Sequence, residues 1–213
     1  MQALDALRTY ERGSPRGLLR PIDQAASEAS ARDDQAPARL LENRLLLALE
    51  SARSFVAREY ICSQLRLIGS VASVRAMAAL LSDVELGTAA RNVLEAIPHP
   101  AAGKALVASL SSLEGVSLIG AINSLGAIAA PGPERGLARK LRDSNPDVVS
   151  AATAALGEIG SAKSAKILRA LLGTVPSTQQ PQVTDAAWTC SERLRAQGKD
   201  PQAKALEAKI PRQ

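Results

Sequence analysis

The segment Ala154–Lys163, AALGEIGSAK, has weaker copies upstream in SQLRLIGSVA, NVLEAIPHPA and NSLGAIAAPG. The copies align on a leucine and an isoleucine three residues apart: Leu65 and Ile68, Leu94 and Ile97, Leu125 and Ile128, Leu156 and Ile159. The leading leucines are separated by 29, 31 and 31 residues. A second landmark, Leu81, Leu110, Leu141 and Leu172, keeps the same three intervals. Recurrence at a period of this length means that one supersecondary unit is stacked several times, and it constrains the fold more than any local propensity does.

Each copy reads as two helices. In DSNPDVVSAATAALGEIGS, Val148, Ala152, Ala155, Leu156 and Ile159 fall on one helical face, Pro146 suits a first turn and Gly160 a C-terminal stop. Before it, PERGLARKLRD groups Leu137, Ala138 and Leu141, and this first helix recurs in SVRAMAALLSD, KALVASLSSLEG and AKILRALLGT. A helix pair this short cannot cover its own apolar stripe, whereas stacked pairs share one continuous core. Aromatic residues make up 2% of the chain, so alanine and leucine carry the apolar content, which favours close helix packing over sheet. The fold expected is an all-α solenoid of about five stacked pairs with irregular ends. Residues 1–34 form leading helices, QALDALRTYERG and GLLRPIDQAASEASA, divided at Gly13, Ser14 and Pro15; residues 35–199 form the array; residues 200–213 form a capping helix and tail. The opening first helix carries Leu40, Leu41, Arg44, Leu45, Ala48 and Leu49, and GTVPSTQQPQ is the one long polar break.

The pattern resembles the HEAT-repeat family, and more closely its short-repeat bacterial variety related to phycobiliprotein-lyase subunits. The residues that carry the resemblance are LLSDVEL…AARNVLEAIP (Leu80–Pro98) and LRDSNPDVVSAATAALGEIG (Leu141–Gly160), and it extends over about Ala36–Gly198. The chain departs from the pattern at Val149, where arginine is common, and at Ala129, where glycine is usual. The resemblance implies an α-solenoid that binds other macromolecules.

Few residues suggest chemistry. No dinucleotide, P-loop, zincin or nucleophile-elbow motif is present, and no cofactor or metal is expected. His99, between Pro98 and Pro100, reads as a solvated turn residue; Cys62 and Cys190 read as small helix residues lying several repeats apart, too far to bridge. The chain reads as non-catalytic. No apolar run reaches membrane-span length and no signal peptide is visible, so a soluble, cytoplasmic chain is the default expectation.

Function is therefore expected on surfaces. In a solenoid the second helices line the concave side. The outward row read from the leucine register is Glu59, Ser63, Arg66; Thr88, Asn92, Glu95; Ile119, Asn123, Gly126; Ser150, Ala154, Gly157; and Trp188, Glu192, Arg195. Ser63, Arg66, Asn92, Glu95, Asn123, Trp188, Glu192 and Arg195 are the candidate contacts for a protein or peptide partner. The net charge of +5 is concentrated after residue 133, where 13 basic residues face 8 acidic ones. Arg135, Arg139 and Lys166, on first helices, are the candidate phosphate contacts. A nucleic-acid partner ranks behind a protein because no aromatics interleave with these charges; a lyase-type subunit is the other alternative.

Overall fold

A computed structural model describes residues 2–211. All regular elements among them are helices. The five expected pairs are present: α3 (Ala36–Ser51) with α4 (Phe55–Ile68), α5 (Val74–Leu80) with α6 (Gly87–Ala96), α7 (Pro100–Ser109) with α8 (Gly115–Ala127), α9 (Glu134–Lys140) with α10 (Pro146–Ile159), and α11 (Ala162–Leu171) with α12 (Gln180–Ala196). They are preceded by α1 (Gln2–Ala6) and α2 (Arg20–Ser30) and followed by α13 (Asp200–Glu207). The chain divides into two compact units, Met1–Ala105 and Leu106–Gln213.

The local signals act as expected. Asn145 accepts a hydrogen bond from the Asp147 amide at 2.9 Å, Pro146 follows in the first turn of α10, and Gly160 ends that helix in the left-handed region at φ 56°. Val148, Ala152, Ala155, Leu156 and Ile159 are all buried. Two expectations need correcting. The first leading helix stops at Ala6, and residues 7–14 are turns and irregular chain. In α3, Leu40 is exposed, and the inward face is Ala38, Glu42, Leu45, Ala48 and Leu49, so a carboxylate occupies the place given to a leucine.

That carboxylate has a structural task. Glu42 is fully buried and accepts from the Ser70 amide and the Ser73 hydroxyl, each at 2.6 Å, from the Ser70 hydroxyl, and from Arg39 at 2.6 Å. It thereby holds the turn Gly69–Ser73 that opens the next first helix. In the second unit Glu134, also buried, accepts from Ser161 at 2.7 Å, and Ser161 caps the Ser164 amide at 3.0 Å. Both sites pair a glutamate seven residues before a first-helix leucine, Leu49 and Leu141, with a following Gly-Ser-x-x-Ser turn. Val74, Gly103 and Ala165, at the glutamate position of other repeats, are followed by no such turn. Burial raises the Glu42 carboxyl pKa, but the Ser73, Ser70 and Arg39 hydrogen bonds outweigh it and hold the group below its ordinary value.

In the first unit, α2 packs on α4 as α4 packs on α6. Tyr60 of α4 donates to Asp23 at 2.8 Å, Gln64 donates to the same oxygen at 3.2 Å, and the Arg16 guanidinium lies 5.0 Å from the Tyr60 ring centre. Burial and the Asp23 bond raise the Tyr60 pKa. In the second unit, α8, α10 and α12 form one row and α9, α11 and α13 another, with α13 in the place of the next first helix.

Candidate functional site

The second-helix row of the second unit is set by two glycines. A Cβ on Gly126 would lie 3.1 Å from the Ala155 Cα, and one on Gly157 would lie 2.8 Å from the Ala186 carbonyl oxygen and 3.1 Å from its Cα. The two contacts are one contact repeated, since Gly126 and Gly157, like Ala155 and Ala186, are one repeat apart. Small residues let helix axes approach closely. Both glycines are buried, which corrects their placement on the outward row: they face the neighbouring helix.

What remains outward is narrower than the sequence suggests. Asn123 of α8 and Ala154 of α10 are exposed, and on α12 the exposed residues Pro181, Asp185, Trp188, Glu192 and Arg195 run along one face. Trp188, the chain's single tryptophan, is 47% exposed. Gln182 bonds to Ser150 and Arg193 pairs with Glu158 at 2.6 Å, so Trp188 lies on α12 between two cross-links to α10. Arg195 is committed elsewhere: it pairs with Glu207 at 2.7 Å and Asp200 at 3.3 Å, and Glu207 also accepts from Ser191. The guanidinium holds the Glu207 carboxyl below its ordinary pKa, and the arginine is itself raised by the same bond. Arg195 is thus the clasp of α13, while its side chain stays exposed on the outward face of α12.

In the first unit Ser63 and Arg66 lie exposed on α4, and Asn92 is exposed on α6. The Ser63 hydroxyl donates to the Tyr60 carbonyl at 2.6 Å, and Glu95 is half-buried and pairs with Arg91 at 3.7 Å. Arg66 and Glu95 occupy the register position that glycine holds in α8 and α10. The first unit therefore lacks the glycine-on-alanine contact.

The first-helix row carries the charge. Arg135 and Arg139 on α9 and Lys163, Lys166 and Arg169 on α11 are all exposed, and none makes an ion pair among the described residues. Of the candidate phosphate contacts, the structure puts Arg135 and Arg139 on one face of α9 and Lys166 on the adjoining helix α11. Sequence reasoning missed the groove beside them. It is about 140 Å³, lies between α11 and α13, and is lined by Ala162, Ala165, Lys166, Arg169, Gln202, Ala205 and Leu206. The only prior signal was the alternation of alanine with basic residues in AKSAK.

The reactive residue types are occupied. The Nδ1 of His99 accepts from the Ala101 amide at 3.2 Å, capping α7, while the ring lies in the exposed turn. Cys62 and Cys190 are buried free thiols, both pushed up to about 11 by burial. No helix among the described residues is long and apolar enough to cross a membrane.

No curated protein matches the chain. Residues 105–180, from α7 to the start of α12, match the family model for HEAT repeats. Repeats of this family generally mediate protein–protein interaction. The chain thus contains HEAT repeats over residues 105–180, and the neighbouring helix pairs and the two leucine landmarks outside that span are consistent with the same architecture.

Proposed function

We propose that the chain is a non-catalytic interaction module and that the outward row of α12, with Asn123 and Ala154 beside it, is a principal contact for a protein partner. The observation that carries this reading is Trp188. Exposed large apolar side chains are ordinary when scattered singly. This one is the chain's only tryptophan and lies at the middle of an exposed helix face flanked by Asp185 and Glu192. Tryptophan gives a large, rigid contact area with a polar N–H, and is enriched among residues that dominate interface energies. Asn123 adds an amide that can bond an exposed backbone. Asn92, Ser63 and Arg66 offer the same kind of polar row on the first unit. The non-catalytic reading draws support from a histidine engaged as a helix cap and two thiols held neutral by burial.

The test is affinity capture from native extract with the unmodified chain, Trp188→Ala and Asn123→Ala, read by mass spectrometry. A specific protein retained by the unmodified chain should be lost or reduced with Trp188→Ala, while helicity and melting temperature stay nearly unchanged. An interface tryptophan can contribute about 2 kcal/mol or more, about thirty-fold in affinity. If Trp188→Ala unfolds α12 and α13 and leaves capture intact, the indole is a packing residue and the assignment is wrong.

A further inference from the structure

The first-helix row of the second unit offers a surface of different chemistry. Five exposed cations of α9 and α11, Arg135, Arg139, Lys163, Lys166 and Arg169, make no ion pair among the described residues. On α9, Glu134 is buried under Ser161; Asp143 pairs with Lys140 at 3.6 Å; and on α13 both Asp200 and Glu207 turn to Arg195 of α12. In this unit Lys140, Arg193 and Arg195 are paired, whereas Arg142 beside α9 and Lys199, Lys204 and Lys209 on or beside α13 are exposed and in no ion pair among the described residues. The cations without an ion pair thus lie on or beside the first-helix row α9, α11 and α13, and Lys166 and Arg169 line a groove whose other lining residues include Ala162, Ala165, Ala205 and Leu206.

We infer that this face docks an acidic segment of a partner protein, with carboxylates lying along α9 and α11 and one apolar side chain seated between α11 and α13. The charges and the groove divide the work. Exposed ion pairs each contribute little and are screened by salt, so the cations set orientation and speed of encounter. The groove supplies an apolar contact, and its volume suits one aliphatic side chain. A phosphate backbone would use the cations but gain nothing from a floor of alanine and leucine, and the lining offers no aromatic ring for a base to stack on. These observations favour a protein segment over a nucleic acid. The inference is independent of the α12 contact, since it uses the opposite row of helices.

The experiment is fluorescence anisotropy with the full chain and three labelled probes: a Glu/Asp-rich peptide with one central leucine, the same peptide with serine in its place, and a single-stranded DNA oligonucleotide of equal net charge. The leucine peptide should bind about five-fold more tightly than the serine peptide, and both should weaken as ionic strength rises to physiological levels. Lys166→Glu with Arg169→Glu should weaken the leucine peptide more than about ten-fold. Ala205→Trp, which fills the groove from the exposed side of α13, should abolish the difference between the two peptides and leave serine-peptide binding intact. Circular dichroism checks that each variant is folded, and Ala205→Trp decides the matter if the charge reversals disturb it. Equal binding of the two peptides, no saturable peptide binding at low salt, or tighter binding of the DNA would each overturn the inference.

Discussion

Replacing Gly157 with alanine sets two known effects against each other. Within a helix, glycine is less favourable than alanine by about 0.8–1.0 kcal/mol, so propensity alone makes Gly157→Ala stabilising. Packing opposes it. The new methyl would stand 2.8 Å from the Ala186 carbonyl oxygen and 3.1 Å from the Ala186 Cα, both backbone atoms of α12 that cannot rotate away. The helices must separate by several tenths of an ångström, and a gap of about 0.5–1 Å already forfeits a quarter to a half of each contact's attraction along the shared row. Overpacking of this kind costs about 1–3 kcal/mol. The net expectation is a loss of about 1–2 kcal/mol. Gly126→Ala is the graded comparison, because its nearest contact is the Ala155 Cα at 3.1 Å and the next two are side-chain atoms at 3.4 Å. There the two effects nearly cancel, within about 0.5 kcal/mol. Urea unfolding of the three proteins measures the differences directly. A Gly157→Ala chain more stable than the parent by the full propensity gain would show that α10 and α12 are not in close contact, and the account of the second-helix row would fall with it.

Ala129 sits at φ 45°, the one non-glycine residue with positive φ among those described, and it closes α8 with bonds from its own amide to the Gly126 carbonyl and from the Ala130 amide to the Leu125 carbonyl. Ala129→Gly should therefore stabilise by about 0.5–1 kcal/mol after the extra unfolded-state entropy of glycine is subtracted, and a lower melting temperature would refute the strain. Glu42→Gln should cost about 2–3 kcal/mol, because an amide cannot satisfy all the donors that the carboxylate accepts. Since the folded pKa of Glu42 lies below its ordinary 4.5, its contribution is fully present above that value and is lost as pH falls through the folded pKa. The variant should accordingly show a flatter acid limb in stability against pH, and an unchanged limb would remove Glu42 from it. Leu125, fully buried, should cost about 2–5 kcal/mol when truncated to alanine, and a loss under about 1 kcal/mol in urea unfolding would contradict its place in the core.

Periodicity made the helices, their pairing and most of the core legible in the sequence, because a stripe of leucine and alanine at helical spacing has to be covered and an identical neighbour covers it. Leu65, Leu94, Leu125 and Leu156 are all buried as the register requires. The ends of α10 were equally legible at Pro146 and Gly160, where the signal lies in the residue itself, whereas the Asn145 side-chain cap appears only in the structure. The glutamate and its Gly-Ser-x-x-Ser turn were also present in the sequence, but with the pair 28 residues apart at Glu42 and Ser70, a helical wheel assigns the carboxylate to no partner. Only packing decides that it points inward. The same holds for the outward row: an exposed glycine and a glycine pressed against a neighbouring backbone have one sequence signature, and Gly126 and Gly157 are told apart from solvent positions only by the distance to Ala155 and Ala186. Charge followed this division as well. The basic excess after residue 133 is a property of composition, but whether a given arginine is paired depends on which helix lies against it. Arg195 meets Glu207 because α13 folds back on α12, while Arg139 on α9 pairs with no carboxylate among the described residues. Local pattern specifies the repeat, and contact between distant segments selects which of its outward residues remain available to a partner.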